Sequence, residues 1–398
     1  PPPPPRAPTP PTPPPHEPAP PHPLTQQTPP WPTNPHQHTH RRRHRGPALQ
    51  ALALRLAAAT PDPAGDDGPR PAPVPWDHPG HMTTAQIAFT EIERLRPELI
   101  EQIGLLLLAH PDPAPLWVAA GEAKGQERVR RMFIEMARWA DDVKFTPDDR
   151  TTWHTARWAI VADDATPEAR AAAAARNGEV AGDALEALRL NAHVLANPES
   201  PPADRARALG WVMHIIGDLH QPMHVSDLFS ADFPNGNSAA TLAYVGDPLG
   251  TTSPLHILWD SNVLRTPTLE AVTGYARDFI QKHPRSSYPE LQEPMETPES
   301  FTEWARESHQ VAVDWAFDLE MVPDTESGQD IDVLTANMVK FILEGISPVT
   351  EAPMPSDEYW EKLQLTAERR ITLAGYRIAD IIIAAADNIN THREFVGR

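Results

Sequence analysis

The 398-residue chain has no cysteine. Disulfides and thiolate metal sites are therefore excluded, and any bound metal must sit on His, Asp, Glu or backbone groups. No apolar run is long enough to cross a bilayer: Ile103–Ala109 falls far short of the roughly 20 residues a span needs. Basic residues are scarce, with 34 Lys and Arg against 54 Asp and Glu, a formal net charge of −20. That balance argues against a passive nucleic-acid binder, which would show a basic face. It leaves room for an enzyme that meets phosphate through bound metal, because each divalent ion brings its own positive charge. Strand-like alternation is nearly absent as well. Thr241–Val245 is the one good candidate, and no internal repeat is found.

Proline is abundant, with 49 residues, about half of them before Trp76. The opening (Pro1–Pro5, then PTPPPHEPAPPHPL) has few large apolar residues and no period, so it cannot offset the entropy of ordering. Residues 1–75 are expected to be disordered or removed, and residues 76–398 to form one domain. Inside the leader, RRRHR (Arg41–Arg45) followed by Ala48–Ala59 has the look of the charged and apolar parts of a signal peptide, interrupted by Arg55. The expectation is a secreted or periplasmic protein with a mis-assigned start. The His-rich HQHTHRRRHR reads as a solvated low-complexity tract.

After Trp76 the apolar residues recur at i, i+3, i+4 and i+7. This period predicts helices over Met82–Leu95, Gln126–Ala140, Glu179–Ala196, Asp204–Gln221, Thr302–Asp318, Asp332–Leu343 and Asp357–Ala386. Clusters of Pro and Gly at Ala109–Pro115, Pro198–Pro202, Asp232–Gly236 and Gly345–Pro355 punctuate them. Long helices with short links predict an all-α domain with at most a small hairpin.

Four stretches carry chemistry. In Trp211-Val-Met-His214-Ile-Ile-Gly-Asp218-Leu-His-Gln-Pro-Met-His224, His214 and Asp218 stand one helical turn apart on one face, so one ion can reach both. Their neighbours are apolar, and an unpaired carboxylate there would be costly unless a metal compensates it. Gly217 permits a close approach, and Pro222 ends the helix so that His224 can address a different ion. Leu255-His256-Ile-Leu-Trp259-Asp260 repeats the His/Asp spacing. Either pair alone is more often a hydrogen bond than a metal site; two pairs with an extra His change the balance. In Arg138-Trp139-Ala-Asp141-Asp142-Val-Lys144, two acids close a helix, the wrong end for its dipole, so a cationic partner is expected. His154 follows a short loop later. Trp76-Asp-His78-Pro-Gly80-His81 could by itself be a packed turn.

Together these pieces resemble the extracellular zinc-dependent single-strand nucleases and nucleotidases of moulds, plants and bacteria, which share their fold with bacterial zinc phospholipase C. The matching elements are W-x-x-x-G-H at Trp76 to His81, W-A-D at Trp139 to Asp141, the single His154, H-x-x-G-D-x-x-Q-P-[LM]-H from His214 to His224, Gly236-Asn237, L-H-x-x-W-D from Leu255 to Asp260, and A-G-Y-R-[IL]-A from Ala374 to Ala379. Their order and rough spacing hold over about residues 76–386.

The resemblance implies three zinc ions. The first would take Asp141, His154, His214 and Asp218; the second His224, His256 and Asp260; the third His81, a bridging Asp218, and the amino and carbonyl groups of Trp76. It implies hydrolysis of phosphoester bonds in single-stranded DNA, RNA or nucleotides by a metal-activated water. Asp218 would be central to that step, Lys144 would neutralise charge at phosphorus, and Asn237 would orient substrate. No membrane anchor and no protein partner are implied. Two histidines, His78 and His220, have no counterpart and read either as ordinary polar residues or as ones that support the ligands from behind. Trp139, Trp211 and Trp259 read as core.

Three departures stand out. Arg157 occupies a position where the nucleases usually carry an acid, and Thr155 replaces the aromatic that follows the single His. The Asn235-Gly236-Asn237 loop is one glycine short. Trp76 is internal, so its amine is free only if the chain is cut after Pro75. A phospholipase C-like phosphodiesterase, and a zinc-binding homologue with weak or no catalysis, are the competing readings; Arg157 is the best support for the latter.

Overall fold

A computed structural model describes residues 78–396, apart from 145, 177, 248–249, 262–265, 292–298 and 325–346. Trp76, the leader and the helix predicted over Asp332–Leu343 lie outside the described residues. The chain runs α1 (His78–Leu95), α2 (Leu99–Leu108), α3 (Ala114–Ala120), α4 (Gly125–Met136), α5 (Trp139–Asp142), β1 (Trp158–Val161), α6 (Pro167–Ala175), α7 (Ala184–Ala196), α8 (Pro202–Leu219), β2 (Ser226–Phe229), β3 (Ala243–Gly246), β4 (Thr252–Pro254), α9 (Leu255–Ser261), α10 (Leu269–Lys282), α11 (Glu299–Val311), β5 (Val322–Pro323) and α12 (Asp357–Val396). The class is all-α. The strands exceed the single hairpin expected: β1 and β2 pair in parallel, and β3 lies between β4 and β5 in an antiparallel set.

The helix α8 organises the core. Every residue from Ala208 to Leu219 is buried, as expected of a helix that is apolar all round apart from a few polar side chains. It packs on α7, α12 and α1. The long α12 lies against α1, and Gly375 makes the contact close. A Cβ there would come within 2.6 Å of Ile87 side-chain atoms and 2.9 Å of the Thr84 carbonyl oxygen. Trp139, Trp211 and Trp259 are all buried, as read from the sequence. The Trp259 indole donates to the Tyr359 hydroxyl at 3.0 Å, which meets the need of a buried N–H.

Three predicted helices depart from their expected bounds. The expected Gln126–Ala140 helix stops at Met136 and restarts as α5. At the break the Ala137 carbonyl lies 3.0 Å from His214 Nδ1 instead of continuing the helical ladder. The helix expected from Glu179 begins at Ala184. Residues before it are held by a bridge between Arg157 and Ala181, and Gly182, at φ +101°, crowds the Thr155 carbonyl. The Thr302–Asp318 helix ends at Val311 and passes into a π turn over Ala312–Ala316. Two helices without a pattern strong enough to predict are fixed by threonine caps: Thr166 accepts from the Ala169 N–H at 3.1 Å, and Thr268 from the Ala271 N–H at 3.3 Å.

Candidate metal centre

Six elements gather seven of the predicted ligands around an eighth, the carboxylate of Asp218. His214 and Asp218 come from the buried half of α8, and His81 from the first turn of α1. Asp141 comes from α5, His154 from the 3-10 turn Thr151–His154, and His224 from the 3-10 turn Pro222–Val225. His256 and Asp260 lie one turn apart on α9.

Asp218 is the meeting point. Its Oδ2 lies 3.2 Å from His154 Nδ1 and 3.3 Å from His214 Nε2; its Oδ1 lies 3.4 Å from His81 Nε2 and 3.6 Å from His224 Nδ1. Asp141 Oδ1 stands 3.6 Å from His214 Nε2 and 3.8 Å from His154 Nδ1, and the two histidine nitrogens are 3.0 Å apart. In the third group, Asp260 lies 3.5 Å from His224 Nε2 and 3.2 Å from His256 Nε2. Tetrahedral metal–nitrogen bonds of 2.0–2.1 Å would set neighbouring donor atoms about 3.3 Å apart. The observed separations bracket that distance. Three sets of donors thus meet the requirement for holding an ion: His81, His214 and Asp218; Asp141, His154 and His214; His224, His256 and Asp260.

The histidines are oriented by backbone carbonyls. Nδ1 of His214 donates to Ala137 O, that of His224 to His154 O at 2.8 Å, and that of His256 to Ala239 O at 2.8 Å. Each bond fixes the tautomer and leaves the Nε2 lone pair facing inward, as metal-binding imidazoles require. Burial holds His154, His214 and His256 below the usual histidine range, so they stand ready as neutral ligands. Burial opposes charge on His224 too, but Asp218 and Asp260 outweigh it and push its pKa up to about 9. For Asp141, Asp218 and Asp260, burial opposes ionisation and the surrounding cations and imidazoles overcome it, holding all three below the usual carboxylate range.

The centre fits a cation on its own chemistry. His81 Nδ1, His154 Nε2, Asp218 Oδ1, His224 Nε2 and Asp260 Oδ2 are buried with no hydrogen-bond partner, and such groups are rare unless something else satisfies them. Two buried carboxylates, Asp218 and Asp260, and the half-buried Asp141 share the cluster, with Lys144 Nζ 2.6 Å from Asp141 Oδ1. Gly217 has a specific reason to be glycine: a Cβ there would stand 2.7 Å from His81 Nδ1. The absent side chain lets the His81 ring stack on His214 with centroids 3.8 Å apart.

Two predicted site residues sit apart from this cluster. Arg157 faces Asp227 at 3.7 Å and Ser238 Oγ at 3.5 Å; none of its described contacts reaches a metal-ligand residue. Asn237 is fully buried. Its Oδ1 accepts from the Leu228 and Ala240 N–H groups at 3.0 and 3.1 Å, pinning the Gly-Asn loop, while its Nδ2 is unpaired. Asp142 does not face the centre and pairs with Arg138 and His78.

Apart from His220, sequence reasoning missed the residues that hold the ligand elements. Gln221 donates to Asp260 Oδ1 at 2.7 Å and accepts from the Met223 N–H, so the Gln of the Q-P motif ties two ligand groups together. His220 donates from Nδ1 to Ile216 O and accepts from Arg377 at Nε2. Arg377 and Arg370 in turn share Glu307, and Ser308 Oγ donates to the Leu219 carbonyl. Arg377 belongs to the A-G-Y-R motif, which was a usable signal; nothing around Glu307 or Ser308 marks them.

A family model described as S1/P1 Nuclease matches residues 76–387. Nuclease S1 of Aspergillus oryzae is 27% identical over 245 residues, covering 61% of this chain and 76% of that protein. Endonuclease 2 of Arabidopsis thaliana is 28% identical over 117 residues, 28% of this chain and 38% of that protein.

Proposed function

Since the chain belongs to the S1/P1 nuclease family, we propose that its His/Asp centre holds zinc and carries the hydrolysis of single-stranded nucleic acid and of 3′-nucleotides. The protein is a metal-dependent hydrolase of phosphodiester bonds, with single-stranded nucleic acid as its substrate class. Among the described residues no helix is long and apolar enough to cross a membrane.

The assignment of ions follows the donor groups. Asp141, His154, His214 and Asp218 would hold the first zinc; His224, His256 and Asp260 the second; His81 and a bridging Asp218 the third, completed by the amine and carbonyl of Trp76. Nitrogen and oxygen donors without thiolate suit zinc. A bound zinc supplies Lewis-acid stabilisation of a phosphoryl oxygen and lowers the pKa of water toward neutrality.

The chain's own residues supply the rest. Asp218 fixes the relative positions of the donor groups, because its two oxygens face four different imidazoles. Lys144 presents an ammonium at the edge of the centre, with 41% of its side chain exposed, where it can stabilise charge developing on phosphorus. Arg157 acts through the loop instead: with Asp227 it supports the segment bearing Asn237. Asn237, by pinning the Gly-Asn loop through its Oδ1, would orient substrate through that loop.

The convergence of four imidazoles on the buried Asp218, in a cluster that leaves several buried donor atoms without a hydrogen-bond partner, carries this reading. The purified protein is to be assayed on single-stranded DNA, RNA, 3′-AMP and phosphatidylcholine, before and after chelation. Chelator-sensitive cleavage of the nucleic acids with two to three zinc ions per chain is expected. Cleavage of phosphatidylcholine alone, or less than one zinc after zinc-supplemented preparation, would overturn it. Export and removal of residues 1–75 belong to the same reading, since an acylated nitrogen cannot coordinate as an amine. Mass spectrometry of active protein should find Trp76 at its N-terminus.

A further inference from the structure

A cavity of about 590 Å³ opens beside β1, lined by Trp158 of β1, by Arg170 and Arg176 at α6, and by Arg306, His309 and Gln310 of α11 among others. None of the metal-ligand residues lines it. Its volume falls in the range of small-molecule sites, and its chemistry is unusual for so acidic a chain. Among the described residues three guanidiniums line it and Glu179 is the one carboxylate.

The guanidiniums are incompletely compensated. Arg170 gives Nε and Nη2 to the carbonyls of Ala162, Asp163 and Ala165, with no carboxylate among these bonds. Arg176 gives Nη2 to Asp227 at 2.6 Å, while its Nη1 is buried with no partner. Among the described residues Arg306 makes a surface contact of 3.2 Å to Glu303 and no other ion pair. Beside them, Trp158 and His309 form an aromatic pair with centroids 5.6 Å apart. Guanidiniums beside an indole face are what a nucleotide requires: planar donors for phosphate and a stacking surface for a base.

The cavity is tied to the metal centre through the parallel strands. Trp158 follows His154 by four residues, and the Ala156 N–H donates to the His224 carbonyl at 3.0 Å. Ser226, two residues after His224, hydrogen-bonds His309 at 3.0 Å. Four extended residues reach at most about 14 Å, so a strand bound at the centre needs few further nucleotides to enter the cavity.

We propose that this cavity is a nucleotide subsite for a flanking part of the single strand, with Arg170 and Arg176 on a phosphate and Trp158 under a base. The inference rests on reading the His/Asp cluster as the hydrolytic centre.

The test is equilibrium binding of the zinc-loaded protein to a hydrolysis-resistant phosphorothioate oligothymidylate, followed by fluorescence anisotropy over a salt series. Trp158→Ala is expected to weaken binding about tenfold. Arg170→Ala should lower the slope of log Kd against log salt by about 0.7, the value for one lost single-strand phosphate contact. Both losses should be larger for the oligonucleotide than for a dinucleotide. Should either variant melt below wild type, Arg306→Glu, on an exposed side chain, serves in its place and is expected to weaken binding in the same direction. Wild-type affinity and salt slope in the folded variants would overturn the subsite. A protein that cleaves single strands yet is indifferent to these changes keeps its function and loses the subsite. One that binds through Trp158 and Arg170 but cleaves nothing keeps the subsite and loses the hydrolytic reading.

Discussion

At Gly217 the helix gives up a side chain so that His81 can lie flat against His214. Gly217→Ala should therefore act on one ligand. Overpacking of this kind costs about 1–3 kcal/mol, and the displaced ring is His81. We expect zinc content to fall by about one ion while the other donors keep theirs; unchanged metal content by elemental analysis would contradict the packing argument. Asp218→Asn should remove more metal and activity than Asp260→Asn, because Asp218 faces four imidazoles and Asp260 two. Equal losses would count against a bridging role. Arg157 is best tested as Arg157→Gln, since an acid there would stand beside the buried Asp227. Removing one partner of a buried pair is costly, and the Gly-Asn loop depends on this one. A lower Tm and a raised KM at unchanged zinc content are expected. A fall in kcat alone would place the guanidinium at the reacting atoms.

Helix α11 and helix α12 act as a clamp on the end of α8. Glu307 takes both Arg370 and Arg377, and those arginines reach the His220 ring and carbonyl, two residues beyond Asp218. Burial opposes ionisation of Glu307, but hydrogen bonds and charge from Arg377 and Arg370 outweigh it and hold its carboxyl below the usual range. A depressed folded-state pKa contributes stability that is fully present above the unfolded value near 4.3 and is lost as pH falls through the folded value. Glu307→Gln should thus lower Tm at neutral pH and flatten the loss of stability on acidification below about pH 4. Thermal melts of both proteins from neutral to acid pH measure this. A parallel pH dependence would remove Glu307 from the clamp.

For the molecule as a whole, the metal centre and the fold should be one cooperative system. The donors come from α1, α5, α8, α9 and two 3-10 turns, so an ion there cross-links segments far apart in sequence. Chelation leaves three carboxylates in a buried cluster and should lower Tm in proportion to zinc affinity. Calorimetry with and without chelator checks it; an unchanged Tm after verified zinc loss would mean that protons and Lys144 suffice to neutralise the centre. Much of this was legible in the chain. Helical periodicity gave the class, and the one-turn spacing of His214 with Asp218 and of His256 with Asp260 is a local property of an α-helix that survives folding unchanged. Even Gly217 announced a close approach, though not by which residue. The rest depends on partners distant in sequence. The break at Ala137 exists because its carbonyl is taken by His214, and the late start of α7 because Arg157 pairs with Ala181. The strands β1 and β2 are too short to show a pattern and form only because they pair with each other. Arg157 stands where the related nucleases usually carry an acid, and the sequence does not show that its partner is Asp227, since a side chain's charge partner is chosen by tertiary packing. Sequence by itself determined which residue types could bind metal and at what local spacing; tertiary structure decided which of them meet, because convergence on Asp218 requires contacts that no local rule encodes.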